Sequence, residues 1–190
     1  MRGYIKSSNL ISGLIVAFFT FFIALTVSLG SQALVEAVNN VIVAIILLLI
    51  IIFLGIFFDV IGTAATAGEV SPFNARAAKK IFGARQAVNL IRNADRVANF
   101  CNDVIGDIAG TLSGAIGAGI VLNLARELQF VDIVLCGAVM TSMIAAITVG
   151  GKAIGKTMAI KNANHIVFAV AKVLEYFERI SGKSLFNNRR

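Results

Sequence analysis

The chain alternates long apolar runs with short charged stretches. Residues 10–30 (LISGLIVAFFTFFIALTVSLG) and 41–58 (VIVAIILLLIIIFLGIFF) carry almost no polar position and show no amphipathic period. Each is close to the roughly 20 residues that cross a bilayer as a helix. The stretch 104–125 is weaker and glycine-rich, and 131–149 is apolar apart from Asp132. Together they predict an all-α polytopic membrane protein with four spans in a single domain, 1–190. Gly150-Gly151 and Gly155 follow the fourth run and predict a broken or shortened helix end within Val149–Lys156, where freed carbonyls become available to ions.

Between the second and third runs the pattern becomes amphipathic. Ser71-Pro72 is a helix-start signature. Phe73, Ala77, Ile81, Ala84, Val88 and Ile91 then recur at steps of three or four, with Arg76, Lys79, Lys80 and Arg85 mainly off the stripe. This predicts a basic amphipathic elbow, as one helix or as two broken near Gly83. Asn93 is placed to cap the next helix, with Asp95 in its first turn. Residues 162–181 predict a juxtamembrane helix with Val167, Val170, Leu174, Phe177 and Ile180 on its apolar stripe and Lys172, Glu175, Glu178 and Arg179 off it. Ser184–Arg190 is a polar tail. Gly106, Gly110 and Gly114, four residues apart, form a small-residue stripe suited to close helix packing.

Composition supports the membrane class. The 190 residues are 58% hydrophobic, with one Pro and no Trp, and the mean hydropathy is +0.88. The first run is longer than a signal-peptide core and lacks a clear cleavage site, so a retained helix is expected. If both termini are cytoplasmic, all of the 17 Lys and Arg residues except Arg126 face inside, as the positive-inside rule requires. The net charge of +7 is thereby explained by topology and by attraction to anionic headgroups. Nucleic-acid binding is not expected, because these residues flank spans and lack an aromatic-studded face. The expected localisation is integral to a membrane, in a bacterial plasma membrane. Cys101 and Cys136 lack metal-ligand spacing, and His165 has no partner His or Cys nearby. With no catalytic dyad and no phosphate-cradling loop, an enzyme is not expected, and neither is a resident cofactor.

Candidate chemistry lies in the few polar groups set in apolar surroundings. These are Asp59 at the end of the second run, Asn102-Asp103 before the third, and Lys152 after the fourth. Ionisable groups in spans tend to mark ion paths or helix pairs facing a bundle interior. Each also has a plainer reading. Asp59 would serve as a span terminus at the headgroups, Lys152 and Lys156 as positive-inside residues, and Asn99 and Asn102 as cross-helix hydrogen bonders.

Three blocks in order, FFDVIGTAATAGE (57–69), RQAVNLIRNADRVANFCNDVIGDIAG (85–110) and GGKAIGKTMAIKNANHI (150–166), resemble the transmembrane domain of the cyclin M / CorB–CorC magnesium-transport family. The resemblance covers roughly 41–181 and leaves the span at 10–30 as an extra element. It implies three conserved spans, a juxtamembrane helix, a homodimer, and an inward-facing cavity for a dehydrated magnesium ion. The matching positions are Asp59, Asn102 and Gly151-Lys152. Departures are specific: the family's Ser is Asp59, its helix-one Glu is Gly62, and its second Asn is Asp103. The Glu of its third block is Lys152 and the Pro is Gly155, while Lys156 and Ala159 are retained. The family's cytoplasmic pair of cystathionine-synthase-type domains has no counterpart, so a separate regulatory protein is a candidate partner.

Magnesium takes about six hard oxygens near 2.1 Å. Asp59, Thr63, Asn102, Asp103 and the carbonyls near Gly151 form the candidate set, with the ion as transported substrate. Lys152 opposes it, since like unit charges about 4 Å apart repel by roughly 4 kcal/mol at an effective dielectric of about 20. Either Lys152 snorkels away, or it pairs with Asp59 or Asp103 and closes the site, or it alternates with the ion. The two functional expectations follow: a divalent-cation transporter or exchanger reduced to its membrane core, or a non-transporting membrane scaffold whose site Lys152 closes.

Overall fold

Apolar runs become helices throughout. In the computed structural model, which describes residues 7–38, 40–127 and 132–182, α1 spans Ser7–Val38, α2 Val41–Ala67, α3 Ser71–Ala78, α4 Ala84–Arg92, α5 Ala94–Ala98, α6 Gly106–Glu127, α7 Ile133–Lys161 and α8 Ala163–Ser181. A π-helical segment, Asn99–Ile105, joins α5 to α6. No strand occurs among the described residues. Arg2, Lys6 and the tail Ser184–Arg190 lie outside them.

Four helical stretches are long and apolar enough to cross a membrane: Gly13–Gly30, Val41–Ala67, Ala94–Glu127 and Ile133–Lys161. This is compatible with an integral membrane protein. On α1, Phe18, Phe19, Phe21, Ile23 and Val27 project in all directions and are each between 42% and 61% exposed. A helix apolar all round and uncovered by protein is suited to lipid, not water.

Two sequence expectations about helix ends are corrected. α1 continues to Val38, past the end of the apolar run at 10–30. α7 is unbroken for 29 residues, and Gly150, Gly151 and Gly155 all lie inside it. Their helix propensity is poor by about 1 kcal/mol each, but the surrounding apolar residues and close packing at two of the three override it.

The chain divides into two compact units, residues 1–51 with 111–142 and residues 52–110 with 143–190. In the first, Ala44 and Leu48 of α2 and Leu112, Ile116, Ile120 and Val121 of α6 are buried. The second has a continuous core of Val60, Ala64, Phe73, Ala87, Val88, Leu90, Ala159, Val167 and Ala171. The elbow helices therefore pack on the ends of α2 and α7 and on α8.

The elbow is two helices, as the break near Gly83 suggested. Lys80 (φ 54°) and Gly83 (φ 83°) turn the chain between them. The Gly83 N–H donates to Glu175 Oε2 at 3.1 Å, and a Cβ on Gly83 would lie 2.8 Å from Lys172 Cγ. Glycine is needed there for both conformation and clearance. The buried Gln86 amide donates to the Glu178 carboxylate. Two acidic residues of α8 are thus used against α4, which rotates the buried face of α8 onto Ala163, Val167 and Ala171. Phe177 and Ile180, expected on that face, are instead 59% and 67% exposed. Asn93 also differs from expectation: it precedes α5 without a side-chain cap bond, and its side chain donates to the Asn89 carbonyl at 2.8 Å.

Gly83→Ala is expected to destabilise the protein by roughly 1–3 kcal/mol, read as a lower unfolding midpoint in detergent. Gly110→Ala is the control. A Cβ there meets nothing within 4 Å, so the substitution should be neutral or raise stability by up to about 1 kcal/mol.

Candidate functional site

Glycines bring three helices of the second unit together. A Cβ on Gly55 would lie 2.9 Å from Ala109 Cβ, and one on Gly62 would lie 2.8 Å from Asn102 Cγ. Residue numbers rise on α2 while they fall on the partner helix, so these segments are antiparallel. On the other side, a Cβ on Gly151 would strike Ile56, and one on Gly155 would lie 2.7 Å from Val60 Cγ2. Here both numbers rise together, so α2 and α7 are parallel. Gly151, Gly155 and the buried Ala159 make a small-residue groove on α7 for α2.

Asp59 lies midway between Gly55 and Gly62, on the same face of α2. Its position is about 12 Å from the helix end at Ala67, and it is 2% exposed. Lys156 Nζ stands 3.8 Å from Asp59 Oδ2, and the Lys156 side chain is half exposed. The same Oδ2 has no hydrogen-bond donor, and neither does the buried Asn102 Oδ1. An acid held this deep needs a cation near it, yet the water around Lys156 screens their attraction to well below that of a fully buried pair.

The sequence-derived residues separate into two groups. Asn102 packs onto Gly62, about one turn along α2 from Asp59, and Thr63 lies one turn beyond Asp59, half-buried. Asp103 is exposed. Gly151 is packed against Ile56 within a continuous helix, so its carbonyl belongs to the helical ladder and not to a freed stretch. Among the described residues no group of three or more His, Cys, Asp and Glu is placed to hold a metal. One buried carboxylate with neutral oxygens still suits magnesium, which is usually bound through one or two carboxylates and keeps several waters.

Lys152 is also relocated. Its ammonium lies over Gly106, 3.4 Å from where a Cβ would be, and among the described residues the cation paired with Asp59 is Lys156. The reason is geometric. Side chains on a helix lean toward its N-terminus, so on a helix parallel to α2 a lysine C-terminal to the Asp59 level reaches back to it. Gly155 is level with Val60, which makes Lys156 that residue. An unbroken α7 was the signal needed, and the paired glycines obscured it.

The π segment was not anticipated. It widens the helix at Asn99–Ile105 and contains Asn102, the residue pressed onto Gly62. Such segments recur at functional sites. The expected packing stripe on α6 is partial: Gly106 is buried, but a Cβ on Gly110 or Gly114 meets nothing within 4 Å. Cys101 and Cys136 are free thiols.

Lys156→Met is expected to destabilise by up to about 1 kcal/mol, the range of a pair whose cation is half exposed and screened by water. Adding Asp59→Asn should recover most of that loss, since removing both charges removes the desolvation cost. Unfolding midpoints of the two single variants and the double variant, compared as a cycle, measure the coupling. Comparison with protein-family models, with curated proteins and with solved structures returned no match.

Proposed function

We propose that this chain is the membrane core of a carrier for a hard cation of the magnesium class, with Asp59 and Asn102 binding the ion. The observation that carries this reading is a pair of buried oxygen acceptors, Asp59 Oδ2 and Asn102 Oδ1, without donors, set against one glycine-lined face of an apolar helix. Two acceptors without donors are matched by a cation. Thr63 adds a hydroxyl on the next turn, and water completes the shell. Asp103 and the Gly151 carbonyl are not needed.

Lys156 is the internal competitor. Its ammonium occupies one side of the carboxylate when the ion is away, and its half-exposed stem lets it swing toward water when the ion arrives. Lys152 stands by Gly106 as a second positive charge that limits ion affinity. Both termini and the elbow face the cytoplasm, following the distribution of Lys and Arg, so the site opens inward. Homodimerisation and a separate regulatory protein remain part of this proposal by resemblance alone.

A second reading is a non-transporting membrane scaffold in which Asp59 and Lys156 staple α2 to α7. The close contacts of Gly151 with Ile56 and of Gly155 with Val60 favour it, because a rigid helix pair needs no moving ion.

Flux of magnesium into proteoliposomes separates the two. The carrier reading expects uptake above empty vesicles by the unsubstituted chain. Asp59→Asn should abolish it, and Asn102→Ala should weaken ion affinity about tenfold. Lys156→Gln should lower the ion concentration for half-maximal uptake by at least about tenfold, since it removes a like charge from the site. Uptake no greater than that of empty vesicles, or uptake indifferent to Asp59→Asn, overturns the carrier and leaves the scaffold.

A further inference from the structure

An open groove of about 450 Å³ lies beside α2, lined by Phe58 and Ile61, by Leu90 of α4, by Asn93, Arg96, Val97 and Phe100, and by Val170 and Leu174 of α8. That volume is within the roughly 300–1,000 Å³ of small-ligand sites. Its walls are apolar except at Asn93 and Arg96. The Asn93 amide is already turned to the Asn89 carbonyl. Arg96 is exposed and among the described residues has no carboxylate partner.

We propose that this groove holds an acyl chain of an anionic phospholipid, with Arg96 binding the lipid phosphate. Three observations choose this occupant. First, the groove is continuous with the apolar surface of α2, where Phe53, Leu54 and Phe57 are 48–63% exposed, so a chain enters sideways without crossing water. Second, Phe58 and Ile61 lie within a spanning-length helix that ends at Ala67, and the antiparallel contacts of Gly55 with Ala109 and Gly62 with Asn102 put Arg96 about level with that end, where headgroups would lie. Third, the free charge at the rim is a guanidinium, whose fork suits phosphate oxygens. Because the chain passes from bilayer to groove without meeting water, its burial adds little to affinity, and preference for one lipid over another rests on the charge that Arg96 presents to the headgroup.

The groove walls include α4 and α8, the helices that hold the elbow, together with the π segment that carries Asn102. A bound chain therefore stiffens the frame around the cation site without touching it. Lipid binding does not depend on transport, and the test reads lipid alone.

The chain has no Trp, so Phe100→Trp places a single fluorophore at the groove. The full chain carrying this reporter is reconstituted in phosphatidylcholine vesicles containing a minority of phosphatidylglycerol, with bromine on the acyl chains of one lipid at a time. Brominated phosphatidylglycerol is expected to quench about fivefold beyond its mole fraction, the preference one basic side chain confers near a membrane surface. Arg96→Gln should return quenching to mole fraction. Val97→Phe, which fills the groove, should remove the excess as well, while Arg126→Gln, outside the groove, should leave it intact. Circular dichroism and elution volume confirm that each variant is folded. Quenching in proportion to mole fraction by the reporter chain overturns the proposal. So does an excess that survives Arg96→Gln, and so does a fluorophore that neither lipid quenches, which would mean that protein, such as a second copy, covers the groove.

Discussion

A carboxylate two turns inside an apolar helix constrains everything around it. Asp59 needs a cation within reach and neighbours without bulk, because an unpaired charge at that depth is expensive. The glycines answer the second need. Gly55 and Gly62 flank Asp59 on α2 and bring the helix containing Ala109 and Asn102 close, while Gly151 and Gly155 admit Ile56 and Val60 on the other side. Lys156 answers the first. Helices without a small-residue face would stand too far apart for this pairing.

The elbow and α8 support that arrangement from one end. Phe73, Ala87, Val88, Leu90, Val167 and Ala171 share one core with Val60, Ala64 and Ala159, so the helices carrying Asp59 and Lys156 are tied to the amphipathic layer through buried apolar contacts. The Gly83 turn and its bond to Glu175 set the spacing of α4 against α8. Asn164 accepts the Glu69 N–H at 3.0 Å, fixing the end of α2 to the start of α8. Arg76 and Lys172 lie over the Phe168 ring at 4.9 and 4.5 Å. A basic residue of α3 and one of α8 thus cover an aromatic ring.

Elements with a strong local signal were legible in advance. The four apolar runs, the Ser71-Pro72 start and the C-terminal helix each follow from hydrophobic period or helix-start chemistry, while Gly83 left one helix or two open for residues 71–92 and the structure has two. Errors arose where a residue has two uses. Gly150, Gly151 and Gly155 read as a helix break, since glycine is a poor helix former, but the space at Gly151 and Gly155 serves packing and the helix persists. Phe177 and Ile180 read as buried, since they extend the apolar stripe, but Gln86 and the Gly83 N–H draw Glu175 and Glu178 inward and turn the helix. Asp103 looked equivalent to Asn102, yet one step along the helix points it outward.

The amino-acid order alone determined that this is an all-helical chain with helices of membrane-spanning length, and it singled out Asp59, Asn102-Asp103 and Lys152 as polar groups set among apolar ones. Burial of apolar surface and satisfaction of backbone hydrogen bonds act locally enough to be read from composition and period. Which lysine meets Asp59 was decided by tertiary structure, because it depends on the parallel register of α2 and α7 and on the lean of side chains along a helix. The same is true of Asn102, brought onto Gly62 in a π-helical segment that no local period announces. Register and helix rotation are set by contacts between residues some forty to a hundred positions apart, and a sequence read one window at a time does not contain them.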